Sequence, residues 1–229
     1  MPKFSDLFTE AELPHANLRG ADFYNVDFSG ADLTGRDLSD SDLRNANFTG
    51  AILKGANLGY ADICGANFKG ADMRGVIMNN IDMRWSNMDN LNLEGAIFYE
   101  SDVTGVNFSE SNLKGANFKN SIAIETGFRK AELTGSDFTG ADVTGADFSE
   151  ANMIKAEMSK TLYRTVHEVS EEVWKTSFIS ANLSHAKLRD ALIYNADLTG
   201  ANLKKTDFTG SHLENCTDKD GKHLVLNVV

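Results

Sequence analysis

A period of five residues runs through almost the whole chain and constrains its fold more than any other feature. The repeat is clearest at 131–150, which reads AELTG SDFTG ADVTG ADFSE. Each five-residue word has a small residue, an acid or amide, a large apolar residue (the centre) and two polar or tiny residues. Centres recur without a slip from Leu13 to Tyr163. Neither a helix, with a period of about 3.6, nor a strand, with a period of about two, explains this pattern.

Taking every fourth centre gives four columns, of which three are fairly uniform and the fourth is mixed, and this extends the period from five residues to twenty. One column of centres consists of Phe28, Phe48, Phe68, Met88, Phe108, Phe128 and Phe148. Such uniformity predicts that like side chains stack in successive coils of the chain. A coil of four short extended sides and four corners uses twenty residues, and it pairs in parallel with the next coil about 4.8 Å away. We therefore expect an all-β, four-sided parallel β-helix solenoid.

The pattern is broken at 166–175, VHEVSEEVWK, which we interpret as an inserted loop or short helix. Val169, Val173 and Trp174 are its candidate contact residues. If the insert bulges out, Phe178 rejoins the phenylalanine column, whereas replacement of two sides puts Leu188 there instead. The bulge fits the columns better and gives nearly ten coils.

The insert and the two non-repeating ends divide the chain into five predicted parts. Phe4, Leu7 and Phe8 precede the clean repeat and are expected to cover the first coil, because an open end of a solenoid exposes core. Asp218 to Gly221 is typical of a turn, and the apolar residues after it are expected either to cap the last coil or to form a homodimer contact. The predicted parts are the N-terminal cap 1–10, the repeat 11–165, the insert 166–175, the repeat 176–215 and the tail 216–229.

The words resemble those of the pentapeptide-repeat family, as ANLRG at 16–20, ADLTG at 31–35 and ANLKK at 201–205 illustrate. The resemblance covers about 11–165 and 176–215. It implies a right-handed, quadrilateral β-helix. It also implies a non-enzymatic role in protein–protein interaction, without a cofactor. Some members instead act as DNA mimics that bind a type II topoisomerase, DNA gyrase, and modulate it or protect it from inhibitors.

Composition narrows the function class. The net charge of −11 argues against direct nucleic-acid binding, which needs a basic face, and permits a partner with a basic groove. No stretch approaches the ~18 apolar residues of a membrane span, and the start lacks the pattern of a secretory signal, so a cytoplasmic protein is expected. The histidines and the two cysteines, Cys64 and Cys216, have no metal-ligand spacing, so no metal site is expected.

One column of the repeat is acidic. Aspartate precedes the centre at Asp22, Asp42, Asp62, Asp82, Asp102 and Asp142, which together are called the acidic column. Stacked like charges cost energy, so the column is a candidate surface for a partner with a basic groove. The competing interpretation is local, because aspartate stabilises corners by accepting hydrogen bonds from nearby backbone.

A second candidate surface is apolar. Ile77 and Ile97 replace the usual Asp or Asn, and Tyr60 and Tyr99 fall nearby, so these four residues form an expected apolar patch. Exposed apolar clusters mark interaction sites, although scattered surface apolar residues are also normal. A test of the inward assignment is Ala66, whose position in the word is expected to have room only for a small side chain.

Overall fold

The chain is a parallel β-helix in which each coil pairs with the coil twenty residues later. The computed structural model describes residues 1–7, 16–163, 176–218 and 220–224. Single parallel bridges join equivalent residues of successive coils, for example Asp22 with Asp42 and Asp32 with Ile52. They form four ladders, which run through the residues just before the centres. The period of twenty in the sequence is therefore the coil length in space.

Each word makes one short extended side and one corner. The side is held by hydrogen bonds to the next coil, as when the Phe28 N–H donates to the Asn47 carbonyl at 2.8 Å. The Ala31 N–H then donates to the Phe28 carbonyl at 3.0 Å and closes the corner. The last residue of the word has a positive φ, as at Gly30 (67°), which suits glycine because it lacks a Cβ.

The centres fill the interior as stacked columns. Phe28, Phe48 and Phe68 stack in parallel at ring-centroid distances of 4.7 and 5.0 Å. A second stack joins Phe98, Phe118 and Phe138 at 4.7 Å each. The methionine coil, Met73, Met78, Met83 and Met88, is also buried.

The coil that contains the insert keeps its register with its neighbours. Asp147 pairs with Ser177, and the rings of Phe148 and Phe178 stack at 5.1 Å. The prediction that Phe178 rejoins the phenylalanine column is thus confirmed. The insert itself, with Val169, Val173 and Trp174, lies outside the described residues.

The longest extended segments are at the C-terminal end. Strands β1 (Leu162–Tyr163), β2 (Leu192–Tyr194) and β3 (His212–Glu214) form a parallel sheet in that order. Strands β4 (Cys216–Thr217) and β5 (His223–Leu224) pair antiparallel. The predicted turn between them is confirmed, because the Gly221 N–H donates to the Asp218 carbonyl at 3.0 Å.

The N-terminal residues contact the first coils. A 3₁₀ helix spans Phe4–Asp6, and the buried Phe4 ring lies 4.6 Å from that of Phe28. Leu7, expected to cover the same end, is instead 44% exposed, and Phe8 lies outside the described residues.

Among the described residues, no helix is long and apolar enough to cross a membrane.

Candidate interaction surfaces

The acidic column consists of outward carboxylates on one side of the solenoid, each bonded to its own corner. Their ladder is continuous from Asp22 to Asp62 and resumes at Asp82. Oδ1 of Asp22 accepts from the Tyr24 N–H at 3.0 Å, and Oδ1 of Asp102 accepts from the Thr104 N–H at 3.0 Å. The same bond, to the amide two residues later, is made by Asp42, Asp62, Asp82 and Asp142. Every member of the column therefore stabilises local structure, whatever else it does.

Two arginines that sequence reasoning missed neutralise the middle of the acidic column. Arg44 contacts Asp42 and lies 3.6 Å from Asp62. Arg84 contacts Asp82 at 2.7 Å and lies 3.7 Å from Asp102. The available signal was an arginine two residues after an aspartate, in DLR and DMR. In this part of the acidic column, arginine and aspartate side chains lie next to each other, so the surface is not uniformly negative.

These corner contacts lower the pKa of several carboxyl groups. Hydrogen bonds from Arg44 and Arg84 lower the pKa of Asp42 and Asp82, and the Thr34 hydroxyl lowers that of Asp32. The Thr209 hydroxyl, the Thr209 amide and then Arg189 lower the pKa of Asp207 to about 2. The folded state therefore holds these groups ionised under conditions in which the unfolded chain begins to protonate them.

The expected consequence is a loss of stability in acid. A lowered folded-state pKa contributes stability above the unfolded pKa of about 3.9, and this contribution disappears as the pH falls through the folded value. The Tm should stay constant from about pH 7 to 5 and fall between about pH 4 and 2. Calorimetry at these pH values checks this. The Asp207→Asn variant should lose less Tm over the acid range than the wild type, and equal losses would contradict the assignment.

The four residues of the apolar patch lie on neighbouring coils but differ in exposure. Ile77 and Ile97 are directly paired and half-buried. Tyr99 is half-buried, and a hydrogen bond with Glu100 raises its pKa. Tyr60 is 61% exposed and lies at the edge of a cleft that the sequence did not predict.

This inter-coil cleft lies between residues 61–70 and 81–90. In the preceding coil, the Leu43 N–H donates to the Asp62 carbonyl at 2.8 Å, and the Phe48 N–H donates to the Asn67 carbonyl at 2.7 Å. Within the described structure, the equivalent bonds are absent one coil later. The N–H groups left unjoined are those of Ile63, Gly65, Phe68 and Gly70 on the lower side and of Asp82 and Asn87 on the upper side. The carbonyls left unjoined are those of Asp82, Arg84, Asn87 and Asp89 on the upper side and of Ala61 and Ala66 on the lower side. Two adjacent ladders are thus interrupted at the same level.

The cleft has two adjoining parts of about 870 and 580 Å³, which share Ala66 and Asn87. Tyr60, Trp85, Cys64 and the edge of Met83 line the larger part. Ala66, expected to be buried, is half-buried because it lies on the lower rim. The equivalent Ala46 in the preceding coil is fully buried.

Ile81 and Leu91 supply a physical cause for the opening. They occupy inward positions that hold Ala61 and Ala71 in the coil below, and both are buried. Their amides do not close the usual corner bond; they donate to the Ser101 and Ser111 hydroxyls at 3.3 and 3.1 Å. Extra volume at two inward positions of one coil separates that coil from the one beneath it.

Trp85 projects beside the cleft and covers Gly105 of the next coil. An added Cβ at Gly105 would lie 2.1 Å from Trp85 Cε3, whereas at Gly115 it would meet nothing within 4 Å. Both glycines have a positive φ, 66° and 63°. Gly105 is therefore the platform on which the indole ring rests, a role that no sequence pattern indicated.

Gly105→Ala should displace the Trp85 ring, while Gly115→Ala should not. Each substitution places a Cβ in the left-handed region at a cost of about 1–2 kcal/mol, so the two variants share that effect. The additional steric conflict in Gly105→Ala should change the Trp85 emission spectrum. Fluorescence of both variants, with Trp174→Phe as the common background, checks this. Equal spectra would show that the ring does not rest on Gly105.

The described residues contain no group of three or more His, Cys, Asp and Glu side chains arranged to hold a metal ion. Cys64 is exposed on the cleft and Cys216 is buried, where burial raises the pKa of its thiol.

Comparison with known proteins points to one family. A family model described as pentapeptide repeats matches in eight copies, over residues 7–40, 37–70, 66–105, 104–140, 131–161 and 176–215. No curated protein matches the chain.

Several solved structures of pentapeptide repeat proteins are similar to this chain. HetL, a protein involved in the regulation of heterocyst differentiation in the cyanobacterium Nostoc sp. strain PCC 7120, is 22% identical, with coverage of 98% of this chain and 100% of that one and a TM-score of 0.44. A protein from the Arabidopsis thaliana thylakoid lumen is 28% identical over 58% of this chain and 69% of that one, with a TM-score of 0.26. Full-length QnrB1, a plasmid-mediated fluoroquinolone resistance protein, is 20% identical over 86% and 90%, with a TM-score of 0.28.

Proposed function

Because the chain belongs to the pentapeptide-repeat family, we propose that it is a non-enzymatic scaffold that binds a partner protein and needs no cofactor. The matching model is that of a structural repeat, and no catalytic family is indicated. In a solenoid the inward residues are committed to packing, so specificity must come from the outward side chains.

The proposed architecture is a right-handed, quadrilateral β-helix of nearly ten coils. Four ladders per coil and the twenty-residue register support the four sides. Its proposed parts are the cap 1–10, the repeat 11–165 and 176–215, the insert 166–175 and the tail 216–229. It acts in the cytoplasm as a monomer, or as a homodimer joined through the tail.

The exposed aromatic rings of Tyr60 and Trp85 carry the proposal. Both residues have a positive φ, 60° and 61°, at the word position where glycine is common. Both are largely exposed, at 61% and 69%. Other words also end in a non-glycine residue with a positive φ, such as Glu100 and Lys130, so the exposed rings and not the backbone distinguish these two positions. Tyrosine and tryptophan are also the residues enriched at binding hot spots.

The test is capture of a partner by the intact chain from lysate of its source cells. Tyr60→Asn and Trp85→Asn remove the aromatic rings while asparagine tolerates the left-handed backbone, so folding should be retained. Affinity for the captured partner should fall more than about tenfold in the double variant. The matched control is Ile52→Asn, which removes an exposed apolar residue that does not line the cleft. Equal loss in the control, or no specific partner for the wild type, would contradict the proposal.

A second candidate is a DNA mimic that binds a type II topoisomerase. The observation in its favour is the in-register pairing of Asp22, Asp42 and Asp62, which spaces carboxylates along one ladder. Arg44 and Arg84 oppose it by neutralising the middle of the acidic column.

A supercoiling assay with DNA gyrase separates the two candidates. Inhibition or protection from inhibitors that is lost on changing Asp42, Asp62 and Asp82 to Asn would favour the mimic. No effect at micromolar protein would exclude it. Unfolding of the Asn variant would show that the three carboxylates serve the corners alone.

A further inference from the structure

We infer that the inter-coil cleft is a docking site for an extended peptide segment of the partner protein, an inference that rests on the proposed scaffold function. A cleft between coils differs from a surface groove, because each rim is the edge of an interrupted ladder. Extended segments bind such edges by main-chain hydrogen bonds, and their side chains supply specificity.

The hydrogen-bonding groups of the two rims suit a peptide backbone. Each rim offers both donors and acceptors. The lower rim has the N–H groups of Ile63, Gly65, Phe68 and Gly70 and the carbonyls of Ala61 and Ala66, and the upper rim has the carbonyls of Asp82, Arg84, Asn87 and Asp89 and the N–H groups of Asp82 and Asn87. An extended peptide presents N–H and C=O groups in alternation along each of its two edges, so it can bond to either rim. An unpaired edge recruits further strands unless it is protected.

The side chains of the cleft favour a peptide with both cationic and apolar residues. Asp62 and Asp82 lie on opposite rims, and their side chains are 54% and 60% exposed. Only Arg84 of the cationic side chains lines the larger part of the cleft, as far as the described residues show. The protein as a whole carries a net charge of −11. Arg44 and Arg84 already contact these carboxylates, so a lysine or arginine of the peptide would share Asp62 or Asp82 with them, while Tyr60 and Trp85 contact an apolar neighbour.

The large inward residues at 81 and 91 favour the open arrangement of the cleft over the closed one. Ile81 and Leu91 are buried, and the Ser101 and Ser111 hydroxyls, which accept from their amides, also donate to the Met78 and Met88 carbonyls at 2.6 and 2.7 Å. The corners above the cleft are thus fully bonded in the open arrangement.

Hydrogen exchange tests the opening itself in the intact chain. The amides of Ile63, Gly65, Phe68 and Gly70 should exchange more than about tenfold faster than those of Leu43, Asn45, Phe48 and Gly50, which are bonded to the next coil. Equal protection of the two sets would show that the ladders are continuous and would overturn the inference.

A peptide-binding experiment tests whether the cleft binds an extended peptide segment. A phage-displayed library of random linear peptides is selected against the intact chain, and the selected peptides are synthesised with and without N-methyl groups on alternate backbone amides. We expect binders rich in β-branched and basic residues, with affinity reduced more than about tenfold by N-methylation. Binders that tolerate N-methylation, or an absence of binders, would overturn it.

A reversible clamp provides the matched control. Arg84→Cys places a thiol opposite Cys64 in the twenty-residue register, where closed rims would bring the Cα atoms to about 4.8 Å, within disulfide reach. The buried Cys216 does not compete. The oxidised variant should not bind the selected peptides, and reduction should restore binding. Alkylation of Cys64 in the wild type should block the same peptides. Binding that is unaffected by either treatment would place the peptide elsewhere.

The outcomes separate this inference from the scaffold proposal. A partner that is captured equally by the clamped and reduced forms would leave the scaffold standing and remove the peptide site. Failure to capture any specific partner would remove the scaffold proposal itself.

Discussion

Phe118→Ala should lower the free energy of unfolding by about 3–5 kcal/mol, which is the usual cost of deleting a buried aromatic ring. Phe118 is fully buried between Phe98 and Phe138, with stacked centroids 4.7 Å away on each side. It also makes edge contacts with Phe108 and Phe128 at 5.7 and 5.5 Å. The coils above and below cannot collapse into the space, because their spacing is fixed by backbone hydrogen bonds. Denaturant unfolding monitored by circular dichroism measures the change.

The matched control is Phe208→Ala near the C-terminal end of the same column. Phe208 is only half-buried, so its removal exposes less new cavity surface. It should cost less than half as much as Phe118→Ala. A reversed order would show that the stacked columns do not dominate the stability of the solenoid.

Ala46→Arg should prevent folding or cost at least about 3–5 kcal/mol, whereas Ala66→Arg should cost only about 1 kcal/mol. The two alanines hold the same position in the word, one coil apart. Ala46 is fully buried beneath continuous ladders, so an arginine there is an uncompensated buried charge. Ala66 lies on the rim of the inter-coil cleft, from which a long side chain can reach solvent.

This pair of substitutions tests the inward assignment and the cleft together. Thermal unfolding of both variants is the measurement. Equal and severe losses would show that the cleft is closed in solution, and equal and mild losses would show that the small residue of the word does not point inward.

The fold was predictable because the same packing of interior side chains recurs every twenty residues. The uniform columns indicated the coil length, and they also indicated that the insert leaves Phe178 above Phe148, which the stacked rings confirm. Arg36 occupies an inward small-residue position in the sequence, and its Nη2 donates to the Ala16 carbonyl at 2.9 Å. Periodicity specifies which residues are equivalent, and equivalent residues in a solenoid must stack.

The candidate sites were less predictable, because they depend on residues that differ from those at the same position in other coils. Ile81 and Leu91 are larger than the alanine or serine usual at their position in the word, yet size alone does not say whether a neighbour shifts, a corner bends or a ladder opens. The pairing of Arg44 and Arg84 with the acidic column depends on which rotamer reaches along the ladder. The sequence named Tyr60, but it grouped this residue with Ile77 and Ile97 instead of with Trp85 across the cleft.

The coil that contains the insert has thirty residues between paired positions, as from Leu162 to Leu192, while its neighbours have twenty. The spacing between coils is therefore the same whether twenty or thirty residues lie between the paired positions. The solenoid tolerates ten additional residues at this corner, and the coils that follow keep their register. This corner is therefore a suitable site for inserting a foreign sequence. A foreign loop, a binding epitope or a small domain exchanged for this segment should leave the stack above it in place, provided that its two ends return to the same corner.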